Sequence, residues 1–339
     1  MLLAEVVQTS HAVASTRARS AKVASLAALL RRLAPDEVEP AVCFLTGRPR
    51  QGKIGVGWAT LGALDPPPAT VPSVEVLEID TIVTVLQSLA GPGSGTRRHQ
   101  LLGALLDKAT EAEADFIRRL LIGELRQGAL EGVMADAVAR ASGIPPASVR
   151  RAAMFAGDLA RVATVALLDG EPGLAAIGLD VLRPVLPMLA STSPDVAMAL
   201  AAMGTCSVEW KLDGARIQAH RRGDGVRLYT HNLNDVTDRL PGVVAVVAAL
   251  DADTVVLDGE VLGVSDDGPE AFQETMSSFG RRSGPASRSE GRSGPASRSE
   301  GRSGPAGRAA LGVWFFDCLH LDGTDLLDRP LLERSAALE

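Results

Sequence analysis

Four lysines stand against thirty arginines in this chain of 339 residues. One of them, Lys211, lies in Glu209-Trp210-Lys211-Leu212-Asp213-Gly214-Ala215-Arg216. A guanidinium keeps its proton in a protein and cannot attack an electrophile. An ε-amine can, once its surroundings lower its pKa. Lys211 is therefore the first candidate nucleophile. Taken alone, Lys-x-Asp-Gly is a short pattern, and an exposed lysine beside a hairpin is ordinarily a solvated surface residue.

Three further clusters follow in order: Tyr229-Thr230-His231-Asn232-Leu233-Asn234-Asp235-Val236-Thr237, Val256-Leu257-Asp258-Gly259-Glu260-Val261, and Phe315-Phe316-Asp317-Cys318-Leu319-His320-Leu321-Asp322-Gly323. Each sets polar or aromatic residues at or just after a strand end, where a sheet presents a binding site. Glu260 interrupts an apolar run, and a carboxylate in such a place needs a cation, a hydroxyl or a metal as partner. A structural salt bridge satisfies that need as well as a catalytic role does. Phe316 offers a flat apolar face to a base, although Trp314-Phe315-Phe316 must also place at least one ring in the core. A nucleophilic lysine, an arginine five residues on, acids for a metal and an aromatic face together point to nucleotide chemistry. A neutral lysine amine would attack phosphorus to give a lysine phosphoramidate. Mg²⁺ would neutralise the triphosphate and the leaving pyrophosphate.

The elements that must position these residues fall in two blocks. Residues 1 to about 170 carry helical periodicity, notably Ala18–Leu33, Arg97–Leu125 as two helices, Gly132–Ala141 and Ser148–Ala160. Gly47–Gly57 breaks the pattern as a loop, and Pro66-Pro67-Pro68 is a stiff spacer. Around Arg183-Pro184-Val185-Leu186-Pro187-Met188-Leu189-Ala190 two prolines three apart mark a linker or an extended crossing. Strand signals follow at Cys206–Lys211, Ala215–Arg221, Val226–Thr230, Thr254–Val264 and Gly312–Leu319, with a hairpin turn at Arg222-Gly223-Asp224-Gly225 and a helix over Leu240–Leu250. The expected fold class is α+β: an all-helical N-terminal domain over 1–185, then a mostly antiparallel β domain over 186–339. Between the last two strands a ten-residue unit, Arg282-Ser283-Gly284-Pro285-Ala286-Ser287-Arg288-Ser289-Glu290-Gly291, recurs at 292–301 and begins again at 302–306. Its composition cannot pack a core, so 281–308 is expected to be a disordered insertion. It is either a tandem duplication tolerated at a loop tip or a basic arm reaching nucleic acid, and tolerance of insertions favours the first.

Bulk composition narrows the class. The chain is 46% hydrophobic and 22% charged, as a globular protein should be, with a formal net charge of -7 that argues against a uniformly basic nucleic-acid binder. Cys43, Cys206 and Cys318 are far apart with no zinc spacing, which suits a reducing compartment. The start, with Glu5 where a signal peptide needs a base, and apolar runs no longer than Val243–Leu250 lead to the expectation of a cytoplasmic protein without a membrane partner.

In their order, these clusters resemble the covalent nucleotidyltransferases, and the chain looks closest to actinobacterial ATP-dependent DNA ligases. Leu121-Ile122-Gly123-Glu124-Leu125-Arg126-Gln127-Gly128 and Pro187-Met188-Leu189-Ala190 are similar to hallmarks of that family. The resemblance implies a helical DNA-binding domain, then the N-terminal part of an adenylation domain. Its cofactors would be ATP and Mg²⁺, and its partner nicked double-stranded DNA, bound as a monomer in the nucleoid during replication, repair or recombination. It implies that Lys211 becomes AMP-bound and that Glu209 accepts from the adenine amino group. Arg216 would contact ribose or phosphate, Glu260 would hold ribose and help position metal, and Phe316 would stack on adenine. His231 stands where the family has an arginine, which would clamp a phosphate as a neutral imidazole cannot. The family's later lysine-bearing motifs and its C-terminal OB-fold domain do not follow the third cluster. The alternative expectation is thus a non-catalytic DNA-binding fragment or degenerate ligase. A capping-type or RNA-joining enzyme would share the lysine chemistry, but the helical domain argues for duplex DNA.

Overall fold

The structure, a computed structural model, describes all residues except 53, 126–130, 189, 266–267 and 270–309. The 281–308 insertion lies outside the described residues, as do 126–128 and 189 of the two hallmark segments. The chain divides into two compact units, Met1–Gly178 and Leu179–Glu339, and the architecture is α+β.

The first unit is helical: α1 (Leu3–Ser15), α2 (Arg19–Leu30), α3 (Val38–Leu45), α4 (Trp58–Gly62), α5 (Val76–Ser88), α6 (Ser94–Asp107), α7 (Glu111–Ile122), α8 (Glu131–Ser142), α9 (Pro146–Ala156), α10 (Leu159–Leu168) and α11 (Gly170–Ala175). α7 shows why the pattern folds this way. Ala114, Phe116, Ile117, Leu120 and Leu121 form one buried stripe. Thr110 and Glu113 close a reciprocal capping box at its start, and Gly123, at φ 74°, ends it in the left-handed region. The stripe joins a core centred on Phe44, Phe116, Leu26 and Leu105. The single helix expected over Ser148–Ala160 is two. Gly157 terminates α9 with φ 64°, and the Asp158 carboxylate accepts the Ala160 and Arg161 N–H groups to start α10.

The second unit is an antiparallel sheet of β1 (Ala215–Arg222), β2 (Gly225–Thr230), β3 (Thr254–Ser265), β4 (Gly268–Pro269), β5 (Ala310–Leu321) and β6 (Thr324–Asp325), in the order β2-β1-β3-β5-β6 with β4 on β3. The β1–β2 hairpin turns at Gly223 and Asp224, Gly223 taking φ 55°. α12 (Val196–Met203) precedes the sheet, α13 (Pro241–Ala248) links β2 to β3, and α14 (Leu331–Ala336) follows β6. Val243 and Val247 of α13 bury one sheet face with Ile217, Ala219, Leu257 and Val261. The opposite face carries Arg216, Gln218, His220, Asp258 and Glu260, in line with the period of two. The strand expected over Cys206–Lys211 is irregular and largely exposed. Its residues alternate as a strand does, but the sheet begins at Ala215 opposite Val261 and no partner strand reaches 206–211 among the described residues. An alternation without a partner leaves its N–H and C=O groups to water.

Candidate active site

Residues 179–188 run across the polar face of the sheet, and β1 holds them with four side chains two residues apart. Arg216 Nη1 donates to the Met188 carbonyl at 3.2 Å. The Gln218 amide bonds both the N–H and the carbonyl of Val185. His220 Nδ1 accepts the Leu182 N–H at 3.2 Å, and Arg222 donates to Asp180 at 3.0 Å. Tyr229 donates its hydroxyl to the Leu182 carbonyl and sets its ring edge-on to His220 at 5.2 Å. Leu182 is thereby held at φ 79°, a left-handed conformation that leucine rarely adopts. Since Nδ1 accepts, the imidazole must be neutral with its proton on Nε2. Burial pushes the His220 pKa down to about 4, against a smaller upward pull from Asp180.

Arg216 also closes a two-bond fork on Asp258, Nε to Oδ1 at 3.0 Å and Nη2 to Oδ2 at 2.6 Å, and its guanidinium lies over the Phe316 ring, 5.8 Å from the centroid. All three of its nitrogens are thus engaged. Glu260 is half-buried and its Oε1 accepts the Gly214 N–H at 3.0 Å. A Cβ at Gly214 would lie 2.3 Å from the Val261 carbonyl, so only glycine allows this approach of the loop to β3. The Gly of Lys-x-Asp-Gly therefore has a steric reason. Gly259 has another: a Cβ there would lie 2.5 Å from the Trp314 carbonyl across the β3–β5 pair. Phe315 is the ring of its triplet that packs on the core, while Trp314 is exposed.

A cavity of about 720 Å³ opens beside this cluster, lined by Gly214, Arg216, His231, Asp235, Arg239 and Glu260 among others. The sequence-predicted residues Arg216, His231 and Glu260 thus come together at one cavity. Lys211, Glu209 and Phe316 are not among its lining residues. Lys211 is 86% exposed, with Asp213 3.5 Å away, and the Glu209 carboxylate accepts from Ser207 Oγ at 2.9 Å. Burial would raise the Asp235 carboxyl, but the Thr237 hydroxyl and amide, aided by Arg227, bring it below the usual carboxylate range. Sequence reasoning missed Asp258, the Gln218–His220 ladder and Arg239. The first two had a signal, polar residues alternating along β1 and β3. Arg239, in a short turn ahead of Pro241, had none.

The profile of the ATP dependent DNA ligase domain matches residues 187–339, and that of the DNA ligase N terminus matches residues 67–139. Proteins described as "Probable DNA ligase" from Saccharopolyspora erythraea and Pseudarthrobacter chlorophenolicus are 48% and 49% identical over the whole of this chain. The chain spans 62% and 63% of their respective lengths. In fold it is similar to a solved structure described as Pmar-Lig_PreS3, with a TM-score of 0.50 at 14% identity, covering 98% of this chain and 62% of that one. With both profiles in order and near-half identity throughout, the chain belongs to the ATP-dependent DNA ligase family.

Proposed function

We propose that this chain carries the nucleotide-transfer core of a ligase that seals nicks in duplex DNA. Residues 1–185 act as the helical DNA-binding domain and 186–339 as part of the adenylation domain. The observation that carries this is the seating of Gly214. It ties the end of the Lys-x-Asp-Gly segment to Glu260 on the wall of a cavity that also presents Arg216, His231 and Arg239.

In the proposed reaction Lys211 Nζ, having lost its ammonium proton, attacks the α-phosphorus of ATP. An N–P bond forms and the P–O bond to pyrophosphate breaks. AMP then passes to the 5′-phosphate of the nick, and the 3′-hydroxyl displaces it to leave a phosphodiester. Lys211 faces water in this structure, so attack requires residues 206–213 to bring Nζ onto the cavity. Glu209 would receive the adenine amino group and Phe316 the adenine ring. Arg216, fixed by Asp258, would align ribose or phosphate. His231 would be a weaker phosphate contact than an arginine. Among the described residues no three His, Cys, Asp or Glu side chains form a metal cage. That suits Mg²⁺, which arrives with nucleotide phosphates and takes one or two carboxylates from the protein, here Glu260; it supplies charge neutralisation for the leaving pyrophosphate. Among the described residues no helix is long and apolar enough to cross a membrane. The likeness to DNA ligases supports action on DNA, which we place in the cytoplasm at the nucleoid, by a monomer, in replication, repair or recombination.

The test is covalent labelling with α-labelled ATP and Mg²⁺. The wild-type chain should gain label, and Lys211→Ala should gain none. Absence of label both on this chain and on a version as long as its relatives sinks the proposal. The exposure of Lys211 favours a second reading, a non-catalytic DNA-binding chain. That reading predicts affinity for nicked duplex with no label on either version.

A further inference from the structure

We propose that Arg239 is the phosphate-holding residue of this cavity, standing in for the permanent cation that His231 does not supply. The inference rests on the nucleotide reading above and adds a residue to it.

Of the charged side chains lining the cavity, Arg216 is largely committed: three of its five N–H donors go to Asp258 and to the Met188 carbonyl, which fixes its direction and leaves two for a ligand. Asp235 is held by Thr237 and faces Arg227, and Glu260 receives the Gly214 N–H. His231 and Arg239 are exposed, and among the described residues neither side chain makes a hydrogen bond or ion pair. Of these two, only the guanidinium is charged at every physiological pH, and only it presents a planar fork matched to two phosphate oxygens. An anion entering the cavity therefore meets five uncommitted donors at Arg239.

The backbone that carries it is fixed. Arg239 ends a short 3₁₀ turn, Thr237–Arg239, flanked by Val236 and Leu240, which are 4% and 1% exposed. Its own N–H donates to the Val236 carbonyl at 2.9 Å. Thr237 Oγ1 accepts the Leu228 N–H of β2 at 3.0 Å and donates to Asp235, which locks the turn to the sheet edge. With the turn already fixed, a bound phosphate has only the side chain's own rotamers to order, and Asp235 and Glu260, the acids that line the cavity, already accept hydrogen bonds. The ligand is a phosphate group, either of the nucleotide or of the 5′ end at a nick.

The experiment compares the full chain with Arg239→Ala, Arg239→Lys and the double variant Arg239→Ala/His231→Arg. Binding is measured to ATP with Mg²⁺, to adenosine, and to nicked duplexes ending in 5′-phosphate or 5′-hydroxyl. Arg239→Ala should weaken at least one phosphate-bearing ligand by about tenfold to a hundredfold, the worth of a charge-assisted pair. Adenosine and the 5′-hydroxyl nick should be unchanged. Arg239→Lys should recover part of the loss, since it keeps the charge without the fork, and His231→Arg should restore binding in the Arg239→Ala background. A loss confined to ATP assigns the nucleotide, and one confined to the 5′-phosphate nick assigns the DNA end. A wild-type chain that labels at Lys211 while Arg239→Ala binds every ligand equally well overturns the inference alone. So does an equal loss for adenosine, which marks general damage. A wild-type chain that neither labels nor binds any phosphate ligand overturns the nucleotide reading and this inference with it.

Discussion

The two faces of β1 and β3 are built by the same residues in alternation, yet they answer to different physics. On one face Ile217, Ala219, Leu257 and Val261 meet α13, and what matters is area removed from water. On the other Arg216, Gln218, His220 and Asp258 are also largely out of water, but each is tied to a named partner. The apolar face makes the unit fold. The polar face fixes the 179–188 segment and the cavity wall, and it tolerates burial only because its donors and acceptors are matched. Loss of volume should damage the first face, and loss of a charge or a lone pair the second.

The largest effect should come from the apolar face. Ile217 is fully buried among α13 and the neighbouring strands. Ile217→Ala removes three carbons and leaves a cavity, at a cost of about 2–5 kcal/mol. Chemical denaturation should show the β unit unfolding at lower denaturant. A midpoint unchanged within error would mean that this face is not the core.

The same alternation explains what could be read from the sequence. Ala215–Arg221, Val226–Thr230, Thr254–Val264 and Gly312–Leu319 are legible as strands because pairing on both or one side lets a period of two persist. Cys206–Lys211 has the same local pattern and is irregular, because pairing is a property of the neighbour and not of the segment. The break at Gly157-Asp158 was written in two residues, a left-handed terminator followed by a cap, and an unbroken apolar period concealed it. At the site, Arg216, His231 and Glu260 converge as their motif order suggests. That Arg216 is spent on Asp258, and that Gly214 must be glycine to clear the Val261 carbonyl, depend on a register between β1 and β3 that no local window contains. Arg239 enters the cavity through the path of a turn, for which residue type gives no hint.

On the polar face the next effect is tied to pH. His220 is fully buried and accepts the Leu182 N–H, so protonation would both charge a desolvated ring and remove the acceptor. Its pKa is about 4 in the folded chain, against about 6.5 for a free imidazole. The unfolded chain therefore takes up the proton first. The stabilisation is fully present above pH 6.5 and is lost as pH falls towards 4, by on the order of 3 kcal/mol in all. Asp180 opposes this shift and His320 adds to it. Denaturation midpoints of the β unit between pH 7 and 4.5 should fall for the wild type. His220→Gln should flatten that part of the slope, and an identical slope in the variant would place the pH dependence elsewhere.

The smallest effect separates two acids on one strand. Asp258 is 6% exposed and forked by Arg216, whereas Glu260, two residues on and facing the same way, takes a main-chain N–H and forms no ion pair among the described residues. Asp258→Asn keeps an acceptor but removes the charge that holds the guanidinium. Because the Arg216 side chain is about one-third exposed, the pair is partly screened, and the loss should be about 1–2 kcal/mol rather than that of a fully buried pair. Glu260→Gln keeps the acceptor for Gly214 and should change stability by less than about 0.5 kcal/mol, while it weakens Mg²⁺-dependent labelling of Lys211. If both substitutions cost the same stability, Glu260 is a structural anchor like its neighbour. If only Asp258→Asn destabilises, the two carboxylates divide the polar face between holding the wall and facing the ligand.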